Sequence, residues 1–62
     1  MGYKLKEARE AKGITQEELE QKSGISRQTI SAIENNKVGD VKIGTLKALA
    51  EALGTTVEAI FF

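Results

Sequence analysis

Gly24 and Ser26 stand one residue apart in this chain, and each punctuates a helix. Glycine suits the left-handed position that ends one helix, and serine suits the cap that opens the next. Only Ile25 lies between them. A connection this short cannot bring two helices back as antiparallel neighbours, so it forces them to cross at a large angle. The rest of the chain has to be built around that crossing. Its 62 residues amount to one domain, spanning residues 1–62. A chain of this size buries only about 60% of the surface its unfolded form exposes. With no Cys and no His there is no disulfide or zinc-type site to hold it, so packing or oligomerisation must do so. The same absences remove the common nucleophile–base pairs, which argues against an enzyme and against a metal or other cofactor.

The residues on either side of the crossing read as short helices. Residues 3–12 are rich in helix formers, with Leu5 and Ala8 on one face and Gly13 as a stop. Thr15-Gln16-Glu17-Glu18 is a capping box opening a second helix that carries Leu19 and ends at Gly24. After Ser26 comes a third, with Ile30 and Ile33 on one face and Asn35-Asn36 at its end. Gly44 is read as the cap of a fourth, in which Leu46, Leu49, Ala50 and Leu53 follow the i, i+3, i+4, i+7 rule. Gly54 stops it, and Thr55 or Thr56 caps a last turn holding Val57, Ile60 and Phe61. The fold class is all-α, a five-helix bundle. Residues 16–35 form a helix-turn-helix whose second helix turns a polar N-terminal face outward.

No apolar run approaches the roughly 18 residues of a membrane span. The opening MGYKLKEAR lacks the apolar stretch of a signal peptide, so the expected location is the cytoplasm, away from membranes. The carboxylates Glu7/Glu10 and Glu17/Glu20 sit one turn apart among basic neighbours, a solvated face rather than an acid–base pair. Nine basic and nine acidic residues cancel, so whole-chain charge gives no sign of a polyanionic partner.

ITQEELEQKSGISRQTISAIENNK, followed by TLKALAEALG, closely resembles the Cro/C1-type (XRE) helix-turn-helix family of phage and bacterial repressors. The Thr15-Gln16 start, Gly24, the run from Ser26 to Ser31, Ile33-Glu34-Asn35 and Ala52-Leu53-Gly54 fall in the family's order and spacing. The resemblance implies a lambda-repressor-like DNA-binding bundle and a sequence-specific, double-stranded-DNA-binding repressor, bacterial or phage-encoded and nucleoid-associated when bound. The helix over residues 27–34 would lie in the major groove with its first residues at base edges. Arg27 and Gln28 carry direct readout in this scheme, since Arg suits guanine O6/N7 and Gln suits adenine N6/N7. Ser31 and Ala32 complete the base-reading set. Gln16, Ser26, Thr29, Asn35 and Lys37 match phosphate contacts, which set register without reading sequence. Arg9 and Glu34 match a structural ion pair between the first helix and the recognition helix.

One recognition helix spans only about four or five base pairs, so a homodimer on a palindromic operator is expected. Ile60-Phe61-Phe62 offers apolar area for it, with Ile60 and Phe62 at the dimer interface and Phe61 docked in the monomer core. No small-molecule ligand is implied. Four departures bear on function. Glu20 replaces a small residue at the helix crossing, which loosens it unless the side chain snorkels out or pairs with Arg27. Asn36 stands where Gly is frequent, and Ser23 where an aliphatic is. The loop Val38-Gly39-Asp40-Val41-Lys42 lacks the usual Pro and carries an acid. Arg27 and Lys37 are expected at a DNA face with few acids. Glu7, Glu10, Glu17, Glu18, Glu51 and Glu58 should fall mostly on other helices or their backs. Two alternatives stay open: the DNA-binding antitoxin of a toxin pair, and a helical protein–protein module using the motif as scaffold.

Overall fold

A computed structural model describes residues 3–61. Five α-helices run in order: α1 (Leu5–Ala11), α2 (Gln16–Ser23), α3 (Arg27–Glu34), α4 (Ile43–Ala52) and α5 (Val57–Phe61). Among the described residues there is no strand.

Local chemistry explains most of the boundaries. Thr15 opens α2 with a full capping box: its hydroxyl accepts from the Glu18 amide at 3.0 Å, and the Glu18 carboxylate accepts from the Thr15 amide at 2.9 Å. Gly24 ends the helix at φ 76°, a conformation that costs a residue with a Cβ about 1–2 kcal/mol. Two residues later the Ser26 hydroxyl accepts from the Thr29 amide at 3.3 Å and opens α3. The α2–α3 corner therefore takes the form that Gly24 and Ser26 dictate.

The end of α3 is closed by a residue other than glycine. Asn36 takes the left-handed conformation at φ 56°. Its amide donates to the Ile33 carbonyl at 3.2 Å, and the Lys37 amide donates to the Ala32 carbonyl at 2.8 Å. This pair of reversed bonds is a Schellman closure, which satisfies the last carbonyls and fixes where Lys37 leaves the helix. Asparagine, whose short polar side chain tolerates this region, replaces the glycine frequent in the family without loss of the motif.

All five helices contribute to one core: Leu5, Leu19, Ile30, Ile33, Leu46, Leu49, Ala50, Leu53 and Ile60 are buried. The segment before α1 meets α5, with the Lys4 amide donating to the Ile60 carbonyl at 2.8 Å. The Tyr3 and Phe61 rings stack beside that bond, centroids 5.3 Å apart.

Three expectations are corrected. The fourth helix starts before Gly44, at Ile43, with Lys42 as an N-cap that makes no side-chain capping bond. The first helix is shorter than residues 3–12, because Lys4 already has non-helical backbone and Lys12 is the C-cap. Near the C-terminus two apolar side chains are placed otherwise than expected. Ile60 is 1% exposed and sits in the core, so its side chain offers nothing to a dimer interface. Phe61, expected inside, is instead 37% exposed. Successive helix positions are turned by about 100°, and with Ile60 turned into the core Phe61 stands at the edge, stacked on Tyr3. The companion assignment of Phe62 lies outside the described residues.

Candidate nucleic-acid interface

Burial of Ile30 and Ile33, three residues apart, rotates α3 so that its remaining faces are set. Arg27, Gln28 and Asn35 are exposed, while Ser31 and Ala32 are half-buried along the flank. One open groove is lined by Gln16, Arg27, Gln28, Ser31, Ala32, Asn35 and Lys37. Every residue expected to touch bases is there, with three of those expected at phosphates. Ser26 lies just outside, in an adjoining depression shared with Glu17, Glu20, Arg27 and Gln28. Thr29 lines neither depression: it is half-buried, and its hydroxyl accepts from Ser26 at 3.0 Å as part of the cap.

Behind the groove is a charged seam. The Arg9 guanidinium donates from Nε to Glu34 Oε2 at 2.7 Å and from Nη2 to Glu34 Oε1 at 3.2 Å, and from Nη1 to the Ile14 carbonyl at 2.9 Å. The side chains are 12% and 2% exposed, so the expected Arg9–Glu34 pair is present and shielded from solvent. A carboxylate in that position needs its lone pairs filled. Gln16 supplies a further donor, its Nε2 reaching Glu34 Oε1 at 2.9 Å. The hydrogen bond to Glu34 raises the Arg9 pKa above its ordinary value, against the opposing effect of burial.

Two groove residues are thus partly pre-set. Gln16 is held by Glu34 and stands at the first position of α2, where backbone amides have no partner within the helix. Asn35 donates from Nδ2 to the Ser31 carbonyl at 2.9 Å and to Ser31 Oγ at 3.2 Å. Arg27 and Gln28, by contrast, make no side-chain hydrogen bond or ion pair among the described residues. The groove therefore combines two polar side chains already held by neighbours, Gln16 and Asn35, with two that are not, Arg27 and Gln28.

Two features were missed in the sequence reading. The Gln16–Glu34 bond joins residues 18 apart, and no local spacing announces it. Glu17 is the other case: it does not lie on the back of α2 but, exposed, beside Arg27 and Gln28, where the half-buried Glu20 also sits at the expected crossing. The spacing of Glu17 from Glu20, three residues on, carried the signal, because residues three and four apart share a helix face. Glu20 neither forms an ion pair with Arg27 nor leaves the crossing entirely.

Among the described residues no helix is long and apolar enough to cross a membrane. They also contain no cluster of three or more His, Cys, Asp or Glu that could hold a metal ion.

A family model described as helix-turn-helix matches residues 5–60. The chain is 46% identical over 57 residues to the uncharacterized HTH-type transcriptional regulator RghRB of Bacillus subtilis, covering 92% of this chain and 41% of that protein. It is 41% identical over 61 residues to the HTH-type transcriptional repressor RghR of the same organism, covering 98% of this chain and 45% of the relative. The chain thus spans less than half the length of these two relatives. A putative antitoxin, HigA2 of Mycobacterium tuberculosis, is 33% identical over 52 residues, covering 84% of this chain and 52% of that protein. No solved structure matches the chain at comparable significance.

Proposed function

The chain belongs to the XRE-type helix-turn-helix family, whose transcription regulators bind DNA, and from that premise we propose that it is a sequence-specific repressor acting on double-stranded DNA. What supports the reading most is the single groove lined by Gln16, Arg27, Gln28, Ser31, Ala32, Asn35 and Lys37. In this account α3 enters the major groove and Arg27 and Gln28 make bidentate contacts to guanine and adenine edges. Ser31 and Ala32 supply the flanking base contacts, the Ala32 methyl against a thymine methyl. Gln16, Asn35 and Lys37 hold the two phosphate backbones, and Ser26 serves its cap and a phosphate together. Thr29 is withdrawn to a capping role. The whole of residues 1–62 acts as one DNA-binding domain without catalytic chemistry, in the cytoplasm.

A homodimer on a palindromic operator follows from reach, since a single α3 of eight residues covers half a site. With Ile60 in the core, the apolar surface at that end among the described residues includes the Tyr3–Phe61 stack. The likeness to a protein named as a putative antitoxin favours one second reading, a repressor whose C-terminal end also meets a toxin. In both readings the DNA-facing residues are the same.

Salt dependence tests the proposal. Each phosphate neutralised by a Lys or Arg releases counterion, and log K falls with log salt at a slope of about −0.9 per contact. Titration of fluorescent duplex between about 50 and 200 mM salt should show a clear negative slope, made small by the few cations in the groove. Binding indifferent to salt, or absent for every duplex tried, contradicts the proposal.

A further inference from the structure

The arrangement around Arg27 carries more than the assignment of a base contact. Arg27 is the first residue of α3, and no acidic residue lies in that helix's first turn. A cation there is disfavoured, because the amino end of a helix is already its positive pole. The compensating charge comes from the neighbouring helix: Glu17 and Glu20 of α2 line the depression that holds Ser26, Arg27 and Gln28. Glu17 also shares with Arg27 a second depression, lined in addition by Gln16. The two acids are three residues apart on α2 and so face the same flank of Arg27.

Resting on the DNA-binding reading above, we propose that Glu17 and Glu20 are positioning residues that decide what Arg27 binds, favouring guanine and rejecting phosphate. A guanidinium carries five N–H donors in a planar fork. Guanine O6 and N7 occupy two of them. The rest remain free for a carboxylate alongside, so Arg27 can serve guanine and an acid at once. A phosphate is different, because its charge brought to Arg27 also lies against Glu17 and Glu20 and meets like-charge repulsion. Non-specific binding is almost wholly phosphate attraction, so it bears the larger penalty. The acids thereby hold a chain with few cations in its groove to the sequences it reads.

The test compares two duplexes: one enriched by the 62-residue chain from a randomised pool, and a scrambled duplex of equal length and composition. Glu17→Gln and Glu20→Gln should each raise affinity for the scrambled duplex by about two- to fivefold, the scale of exposed charge pairs. They should lower affinity for the enriched duplex by a similar factor. In an Arg27→Gln background the opposite signs should vanish, leaving an equal gain on both duplexes. An equal gain on both duplexes with Arg27 present would mean plain repulsion and overturn the inference. Glu17 is exposed, so Glu17→Gln tests this even if the half-buried Glu20 proves structurally sensitive. Failure of the unmutated chain to enrich any sequence would appear before any variant is made, and would remove the DNA-binding reading together with this inference. Enrichment followed by unchanged affinity ratios would remove this inference alone.

Discussion

Two arginines on adjoining helices have opposite fates. Arg9 on α1 spends its donors on Glu34 and the Ile14 carbonyl in a seam where the Glu34 side chain is 2% exposed. Arg27 on α3 is exposed, with two acids beside it and no ion pair among the described residues. The residue type is the same, and position alone separates a structural tie from a reading head. The seam lies behind α3 and fixes its orientation through Glu34, its last residue. The free face lies in front, where the orientation so fixed becomes a pattern of donors. Rigidity behind and availability in front are what a groove-reading helix requires.

The largest effect should come from breaking the seam. Arg9→Ala leaves a shielded Glu34 carboxylate with Gln16 as its remaining side-chain donor. The expected loss is about 3–5 kcal/mol of unfolding free energy, a large share of what a domain this small has. Urea unfolding measures it, and a change under about 0.5 kcal/mol would make Arg9 an ordinary surface residue. The pair's pH behaviour follows from the sign of the Arg9 shift. A raised folded-state pKa contributes stability that is complete below the unfolded value and lost only as pH rises through the folded one. For an arginine that loss falls in strongly alkaline solution. The Arg9 contribution should therefore be the same at pH 6 and pH 9, as melting curves of the parent and Arg9→Ala chains can check.

The mirror-image change is Arg27→Ala. It should leave stability within about 0.5 kcal/mol, yet cost about 1–3 kcal/mol of discrimination at one base position. Comparative titrations on single-base variants of an enriched site would show it. A large stability loss instead would erase the contrast between the two arginines. Smaller still is Lys37→Ala at the Schellman closure of α3. Affinity should weaken uniformly across sequences and the salt slope shrink by about one contact. A change confined to one base would move Lys37 from the phosphate class to the reading class.

Much of this contrast was legible in the residues. Thr15, Gly24 and Ser26 announce the corner because capping and left-handed turns are local chemistry, decided within four residues. Leu19, Ile30 and Ile33 announce which faces turn inward, and burial of those three sets the outward face by subtraction. The Arg9–Glu34 pair came from the resemblance, since nothing local links residues 25 apart. What failed was also of one kind. The placement of Ile60 and Phe61 depends on the rotation of a five-residue helix, which its two possible caps left open by one position. The Thr56 hydroxyl, accepting from the Ala59 amide at 3.2 Å, is the cap that sets it. Glu17 lies beside Arg27 rather than on the back of α2, a helix with a single buried residue, Leu19, whose one anchor defines its rotation loosely. The spacing of three from Glu20, which is expected at the crossing, is the signal that places it there.

The central claim is that the face carrying Arg27 and Gln28 reads base sequence. The direct measurement is selection of bound duplexes from a randomised pool by the parent chain, Arg27→Ala and Gln28→Ala in parallel. A two-fold symmetric consensus with half-sites about 34 Å apart is expected. A guanine preference should disappear with Arg27→Ala, and an adenine preference with Gln28→Ala. No enrichment over the input pool, or one consensus shared unchanged by all three chains, would contradict it.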